Sequence, residues 1–191
     1  MEQRYSTSFH DTSFMRLRDF CNRHGEIVNY RKGEQMETEG DPAQWFAFVE
    51  KGCFKYVTRG ISDNREHIVW FSFFGEFVGN YPDLLYGHPS RLTIEAMMPS
   101  RVVRVSGEKL KQFFGQNSKT MELHNTLSDH VLTQFQSRYI DFYRTNPRER
   151  YELLLQRCPG IVNDLPLNAI ASFLHITPKT LSMIRHGITY C

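Results

Sequence analysis

Short apolar runs alternate with turn residues through the first 115 positions, and one long apolar row follows them. Trp45–Val49, Phe54–Thr58, His67–Phe71, Leu92–Ala96 and Val102–Val105 read as strands. Gly33, Gly40-Asp41-Pro42, Gly52, Gly60, Ser62-Asp63-Asn64, Gly75, Gly79, Gly87 and Pro99-Ser100 punctuate them at intervals of about ten residues. Many short strands with evenly spaced turns predict an all-β barrel or jelly roll. Phe14, Leu17 and Phe20-Cys21 place a helix over Ser13–His24 ahead of it, and a second, Glu108–Phe114, follows Ser106 as N-cap.

After residue 115 the punctuation stops. Ser118–Arg144 holds no Gly or Pro, and Leu123, Leu127, Val131, Phe135, Tyr139 and Tyr143 recur every fourth residue, with Leu132 and Phe142 beside them. That row predicts one helix of about seven turns. So long a helix buries its row either on its own domain or against the same helix of a second subunit, and its length favours the second. Asn146-Pro147 ends it and opens the next. Three short helices follow, Pro147–Gln156, Pro166–Leu174 and Pro178–His186, each starting with Pro. The joint Leu174-His175-Ile176-Thr177 is too short for anything but a steep crossing, the geometry of a helix-turn-helix. The chain thus divides into a β-domain (1–115), a long helix (116–145) and a small helical unit (146–191), an α+β arrangement.

Composition narrows the function classes. Forty per cent of the 191 residues are hydrophobic, 23% charged and 14% aromatic, which suits a packed core and excludes disorder. No apolar run is long enough for a membrane span, and Met1-Glu2-Gln3-Arg4 leads into no signal peptide, so a cytoplasmic location is expected. A net charge of +2 permits nucleic acid without advertising it. The four cysteines, Cys21, Cys53, Cys158 and Cys191, are scattered and read as free thiols with no metal site. Neither a His-x-His pair nor Gly-x-Ser-x-Gly occurs among eight His and twelve Gly, so no catalytic residue is assigned and an enzyme is not expected.

Two constellations carry chemistry. Across the joint, Ala171 is small where two helices touch, and Leu174, Ile176, Leu181 and Ile184 fill the space between them. Thr177, Lys179, Thr180, Ser182 and Met183 then face outward. In a DNA-binding unit that face enters the major groove, Thr177 and the helix start meeting phosphate and Lys179 reaching phosphate or guanine. Thr177, Lys179, Thr180, Ser182 and Arg185 are the candidate DNA contacts. The second constellation is Phe74-Gly75-Glu76-Phe77-Val78-Gly79 with Ser90-Arg91-Leu92-Thr93-Ile94-Glu95-Ala96. Glycine lets backbone N–H groups approach an anion, Glu accepts from a ribose hydroxyl, and Arg offers a forked donor to phosphate. Gly75, Glu76 and Arg91 are the candidate ligand contacts.

Arg31-Lys32-Gly33-Glu34, Glu39-Gly40-Asp41-Pro42, Phe46-Ala47-Phe48-Val49 with Gly52 and Lys55, and Gly75-Glu76-Phe77-Val78-Gly79 occur in order ahead of the long helix and the helix-turn-helix. In this the chain resembles the Crp/Fnr family of bacterial transcription regulators over nearly its full length. The resemblance implies a cyclic-nucleotide-binding-type β-roll, a dimerisation helix and a DNA-binding domain. It also implies a homodimer on promoter operators, a small effector in the roll, and RNA polymerase as a partner. Four departures matter. Counting back from Ala96, the phosphate-binding Arg position holds Ser90 and the following Ser/Thr position holds Arg91. On a strand a one-residue shift reverses the side chain, which counts against a cyclic nucleotide as effector. The segment Gly79–Ser90 is longer and more aromatic than the usual cassette. The tight turn, normally Gly, has His175, and Cys191 follows the last helix too closely for a β-wing. These departures support an alternative, a ligand-binding or interaction module with a degenerate helix-turn-helix.

Overall fold

The computed structural model describes residues 12–62 and 64–189; Met1–Arg4, Asp63 and Cys191 lie outside the described residues. Helix α1 (Thr12–His24) leads into eight strands: β1 (Glu26–Tyr30), β2 (Gln35–Glu37), β3 (Trp45–Lys51), β4 (Cys53–Arg59), β5 (Glu66–Phe73), β6 (Phe77–Val78), β7 (Thr93–Ala96) and β8 (Ser100–Ser106). They form two antiparallel four-stranded sheets, ordered β1-β8-β3-β6 and β2-β7-β4-β5. One core lies between the sheets, centred on Val49, Phe54, Ile94 and Val102. The expected α+β class and β-roll are both present. All five expected strands form, each within two residues of its expected bounds. Strands β2 and β6 are too short to show an alternation, and β1, exposed along most of its length, has a weak one.

Helices cover the outer faces. Against the first sheet lie α1, α2 (Gly107–Phe114) and the start of α3 (Ser118–Arg144), through Leu17, Val105, Leu110, Leu123 and Leu127. Ser106 caps α2 as expected, its Oγ accepting from Lys109 N–H at 3.3 Å. Asn117 and Thr120 close a capping box on α3, as Asn146 and Glu149 do on α4 (Pro147–Arg157). A one-turn helix α5 (Ile161–Asp164), α6 (Leu167–Phe173) and α7 (Pro178–Thr189) complete the chain. These last helices pack on the outer face of β4 and β5, sharing a core with Val57, Ile68, Phe71 and Phe73. That is why β4 is buried on both faces.

The apolar row of α3 does not stay on one side. Each step of four residues advances about 40° around a helix, so the row turns by about 200° from Leu123 to Tyr143. Leu123 and Leu127 are buried in the chain's own core, whereas Tyr139 and Tyr143 are 66% and 72% exposed. The face that stays turned inward runs through Leu127, Val131, Gln134, Arg138 and Asp141.

Candidate functional site

Between β5–β6 and α3 lies a cleft of about 870 Å³ that runs down to α4 and the end of α6. Its upper end holds the Gly75-Glu76 turn. Gly75 has φ +84°, and Glu76 is buried. Glu76 Oε2 accepts from Phe73 N–H at 3.0 Å, so the carboxylate ties off the strand it follows. Gly79 has φ +153°, and a Cβ there would sit 2.6 Å from the Trp45 carbonyl oxygen. Tyr56 closes this end, its hydroxyl accepting from Gly79 N–H at 3.1 Å and meeting Ser72 Oγ at 3.1 Å. Burial pushes the Tyr56 pKa up to about 12.

Arg91 does not join this group. Its side chain is 86% exposed, its Nε 3.9 Å from Asp83 Oδ2 on the outside of the roll. The inward position belongs to Ser90, 3% exposed, which accepts from Asn80 Nδ2 at 2.9 Å and contacts Glu37 Oε2 at 3.4 Å. Burial raises the Glu37 carboxyl above the usual range, opposed by the N–H groups of Trp45 and Gln44. The site where the family resemblance puts a phosphate-binding arginine therefore carries a hydroxyl, an amide and a carboxyl group. The structure keeps Gly75 and Glu76 together and turns Arg91 away from them, in the bend that precedes β7.

The lower end of the cleft is built from cations and rings. Arg138 donates from Nη1 to the Val69 carbonyl of β5 and from Nη2 to the Phe173 carbonyl of α6, the latter at 2.8 Å. Its guanidinium lies 3.6 Å from the Phe173 ring centre. Burial, with the Arg157 charge adding to it, pulls the Arg138 pKa down to about 10. Asp141 is buried between Arg157 and Arg144, the latter at 2.9 Å. Arg150 donates from Nη1 to the Thr145 carbonyl at 2.7 Å and lies 5.0 Å from the Phe142 ring centre. Its buried Nε has no hydrogen-bond partner among the described residues. The sequence reading missed Arg138 and Asp141 by following the fourth-residue row; alternating steps of three and four from Leu127 would have exposed them as polar breaks in an inward face.

At the two-helix joint, Leu174–Thr177 separate α6 from α7. Ala171 and Leu181 are fully buried between α6 and α7. His175 has φ +54°, with its N–H donating to Ser172 O and that of Ile176 to Ala171 O, both at 3.0 Å. The pKa of His175 is lowered by burial and by the charges of Arg138, His67 and Arg150. Thr177 caps α7, accepting from Thr180 N–H at 3.1 Å. Of the candidate DNA contacts, Thr177, Lys179 and Arg185 are exposed and Thr180 and Ser182 half-buried. At about 100° per residue, the direction opposite Leu181 is occupied by Lys179, Met183 and His186. Arg185 stands nearer the core side, where its charge lowers the pKa of Tyr151 against the effect of burial. Together with Ser182, Leu167 and His186 it lines a hollow of about 240 Å³.

Among the described residues no helix is long and apolar enough to cross a membrane. Residues 27–117 match the family described as "Cyclic nucleotide-binding domain". No curated protein matches the chain. FixK2 from Bradyrhizobium japonicum is similar in structure with a TM-score of 0.74 at 22% identity, over 87% of this chain and 85% of that one. CLP of Xanthomonas campestris, a c-di-GMP-responsive global regulator, gives 0.64 at 16% over 90% of each. The catabolite activator protein of Thermus thermophilus gives 0.56 at 17%, over 97% of this chain and 87% of that one. At these identities the likeness is one of fold. Residues 27–117 thus match the cyclic nucleotide-binding domain family, within a chain whose fold is that of FixK2, CLP and the catabolite activator protein.

Proposed function

We propose that this chain is a homodimeric, DNA-binding transcription regulator that responds to a small effector held between the β-roll and α3. The observation that carries the reading is the joint of α6 and α7: a left-handed residue at the turn, a capped second helix, and Thr177 and Lys179 exposed at its start. Helix starts with paired backbone donors suit phosphate, and an exposed Lys suits phosphate or guanine. Residues 1–115 serve as the sensing unit, 116–145 as the dimerisation helix and 146–191 as the DNA-binding unit. The apolar residues α3 leaves exposed, Leu132, Phe135, Tyr139, Ile140, Phe142 and Tyr143, fit a second copy of the same helix. RNA polymerase is the further partner such a regulator needs. The outward Arg91 and the Glu37–Ser90–Asn80 group argue for an effector other than a cyclic nucleotide.

The test is fluorescence anisotropy on duplexes enriched by selection from the organism's own promoters, at several salt concentrations. Affinity should fall steeply with salt, because neutralised phosphates release counterions. Lys179→Ala should flatten the slope by about one unit. A salt-independent affinity, or no enrichment of any duplex, would favour the interaction-module reading, which Met183 at the centre of the outward face supports.

A further inference from the structure

We infer that the lower end of the α3 cleft binds a small organic anion with an aromatic body, its charge held by Arg150 and Arg157 and its rings against Phe142 and Trp70. The inference rests on the regulator reading and specifies its effector. Three guanidinium groups, Arg138, Arg150 and Arg157, line this end of the cleft, and the one carboxylate beside them, Asp141, is paired with Arg157 and Arg144, while Arg138 and Arg150 bond only backbone carbonyls. Like charges at close quarters beside apolar walls repel, and Arg157 already lowers the pKa of Arg138. The buried Nε of Arg150 is a donor without an acceptor among the described residues. Leaving a buried donor unmet costs free energy that a ligand oxygen would recover. A forked guanidinium matches a carboxylate or phosphate in two-point geometry.

The rest of the cleft specifies the body of the ligand. Trp70 and Phe135 stack 5.2 Å apart at one side, and Phe142 meets His175 edge-on at 5.3 Å on another. A volume of about 870 Å³ falls within the range of small-molecule sites. Bound here, the anion touches α3 and α4, and beside them lies the Arg138 link to α6. Ligand occupancy is thereby coupled to the seating of the helix-turn-helix.

The experiment uses the full chain with two probe pairs: salicylate against salicylamide, and indole-3-acetate against indole-3-acetamide. Calorimetric titration at about 10 mM probe fills even a site of millimolar affinity. The expected result is binding of at least one carboxylate, about tenfold or more tighter than its amide. Arg150→Gln should lower that affinity about tenfold, and Arg148→Gln on the outer side of α4 should leave it unchanged. Arg157→Gln serves as the second variant should the first lower the melting temperature of the ligand-free chain. Equal binding of carboxylate and amide, or no binding of either, overturns the inference. So does binding that appears only when Leu132→Asp breaks a dimer, since the second copy would then fill the cleft. DNA affinity of the ligand-free chain is measured separately: if it is lost while the carboxylate still binds, the regulator reading fails and the site stands.

Discussion

The turn between α6 and α7 offers a measurement in which one backbone angle is the variable. His175 sits at φ +54°, where a Cβ crowds the backbone at a cost of roughly 1–2 kcal/mol. Glycine escapes that cost but loses about 0.5–1 kcal/mol more chain entropy on folding. His175→Ala and His175→Gly remove the same ring contacts, to Phe142 at 5.3 Å and His67 at 6.2 Å, so these losses cancel between the variants. What remains is the angle. The Gly variant should be the more stable by about 0.5–1 kcal/mol, or about 1–4 °C in melting temperature for a chain of this size. Both variants should lie below the wild type or close to it, because each forfeits about 0.5–1.5 kcal/mol of ring contact. Urea and thermal unfolding at pH 8 give the comparison directly. An Ala variant as stable as the Gly variant would refute the account, since the turn would then carry no left-handed cost.

Acidification should destabilise the fold. Burial lowers the pKa of His124, His130 and His175, so the unfolded chain binds more protons once pH falls below about 6.5. Their contribution is complete above that value and is lost as pH drops towards the folded values; the urea midpoint should be lower at pH 5.5 than at 7.5, with a smaller difference in His175→Ala. Glu37, raised by burial, acts in the opposite direction, so Glu37→Gln should steepen the loss. Leu181→Ala, at a fully buried position, should cost about 2–5 kcal/mol and abolish DNA binding. Met183→Ala on the exposed face should change stability by no more than about 0.5 kcal/mol, and equal losses in the two would displace Leu181 from the core between the helices.

How much of this was readable in advance depended on whether neighbours in sequence decided it. Ser90 and Arg91 point opposite ways as expected, although they lie in the bend ahead of β7 and not on a strand, so alternation is not what sets them. The cap at Ser106 was legible because the acceptor and its N–H lie three residues apart. Distant pairings were not. Ser90 meets Glu37 across 53 residues and Tyr56 meets Gly79 across 23, and nothing local marks either. Arg138 looks in the sequence like a solvated charge between Ser137 and Tyr139; only the packing of α3 on β5 and α6 makes it a link among three elements. Arg185 was placed on the DNA face, and the helical angle from Leu181 brings it towards Tyr151.

The link through Arg138 also bounds what the helical unit can do. Strand β5 is the edge of its sheet, and α6 covers that edge: Ile68 N–H donates to Ser172 Oγ at 3.0 Å, and Phe71 meets Phe173 at 5.0 Å. Breaking the Ile68 bond, the Arg138–Phe173 bond and the ring contact would cost together about 2.5–6 kcal/mol. A ligand that prefers one arrangement 10⁴-fold shifts an equilibrium by about 5.5 kcal/mol, so these contacts are within reach of a single bound molecule. Lifting α6 away entirely would also expose Ile68, Phe71 and Phe73, at about 1.5–3 kcal/mol for each side chain. That total exceeds what one ligand can offset. A tilt of α6 across β5 that keeps the apolar contact and exchanges only the polar bonds, the Arg138–Phe173 bond among them, stays within that limit, whereas lifting α6 off the sheet does not.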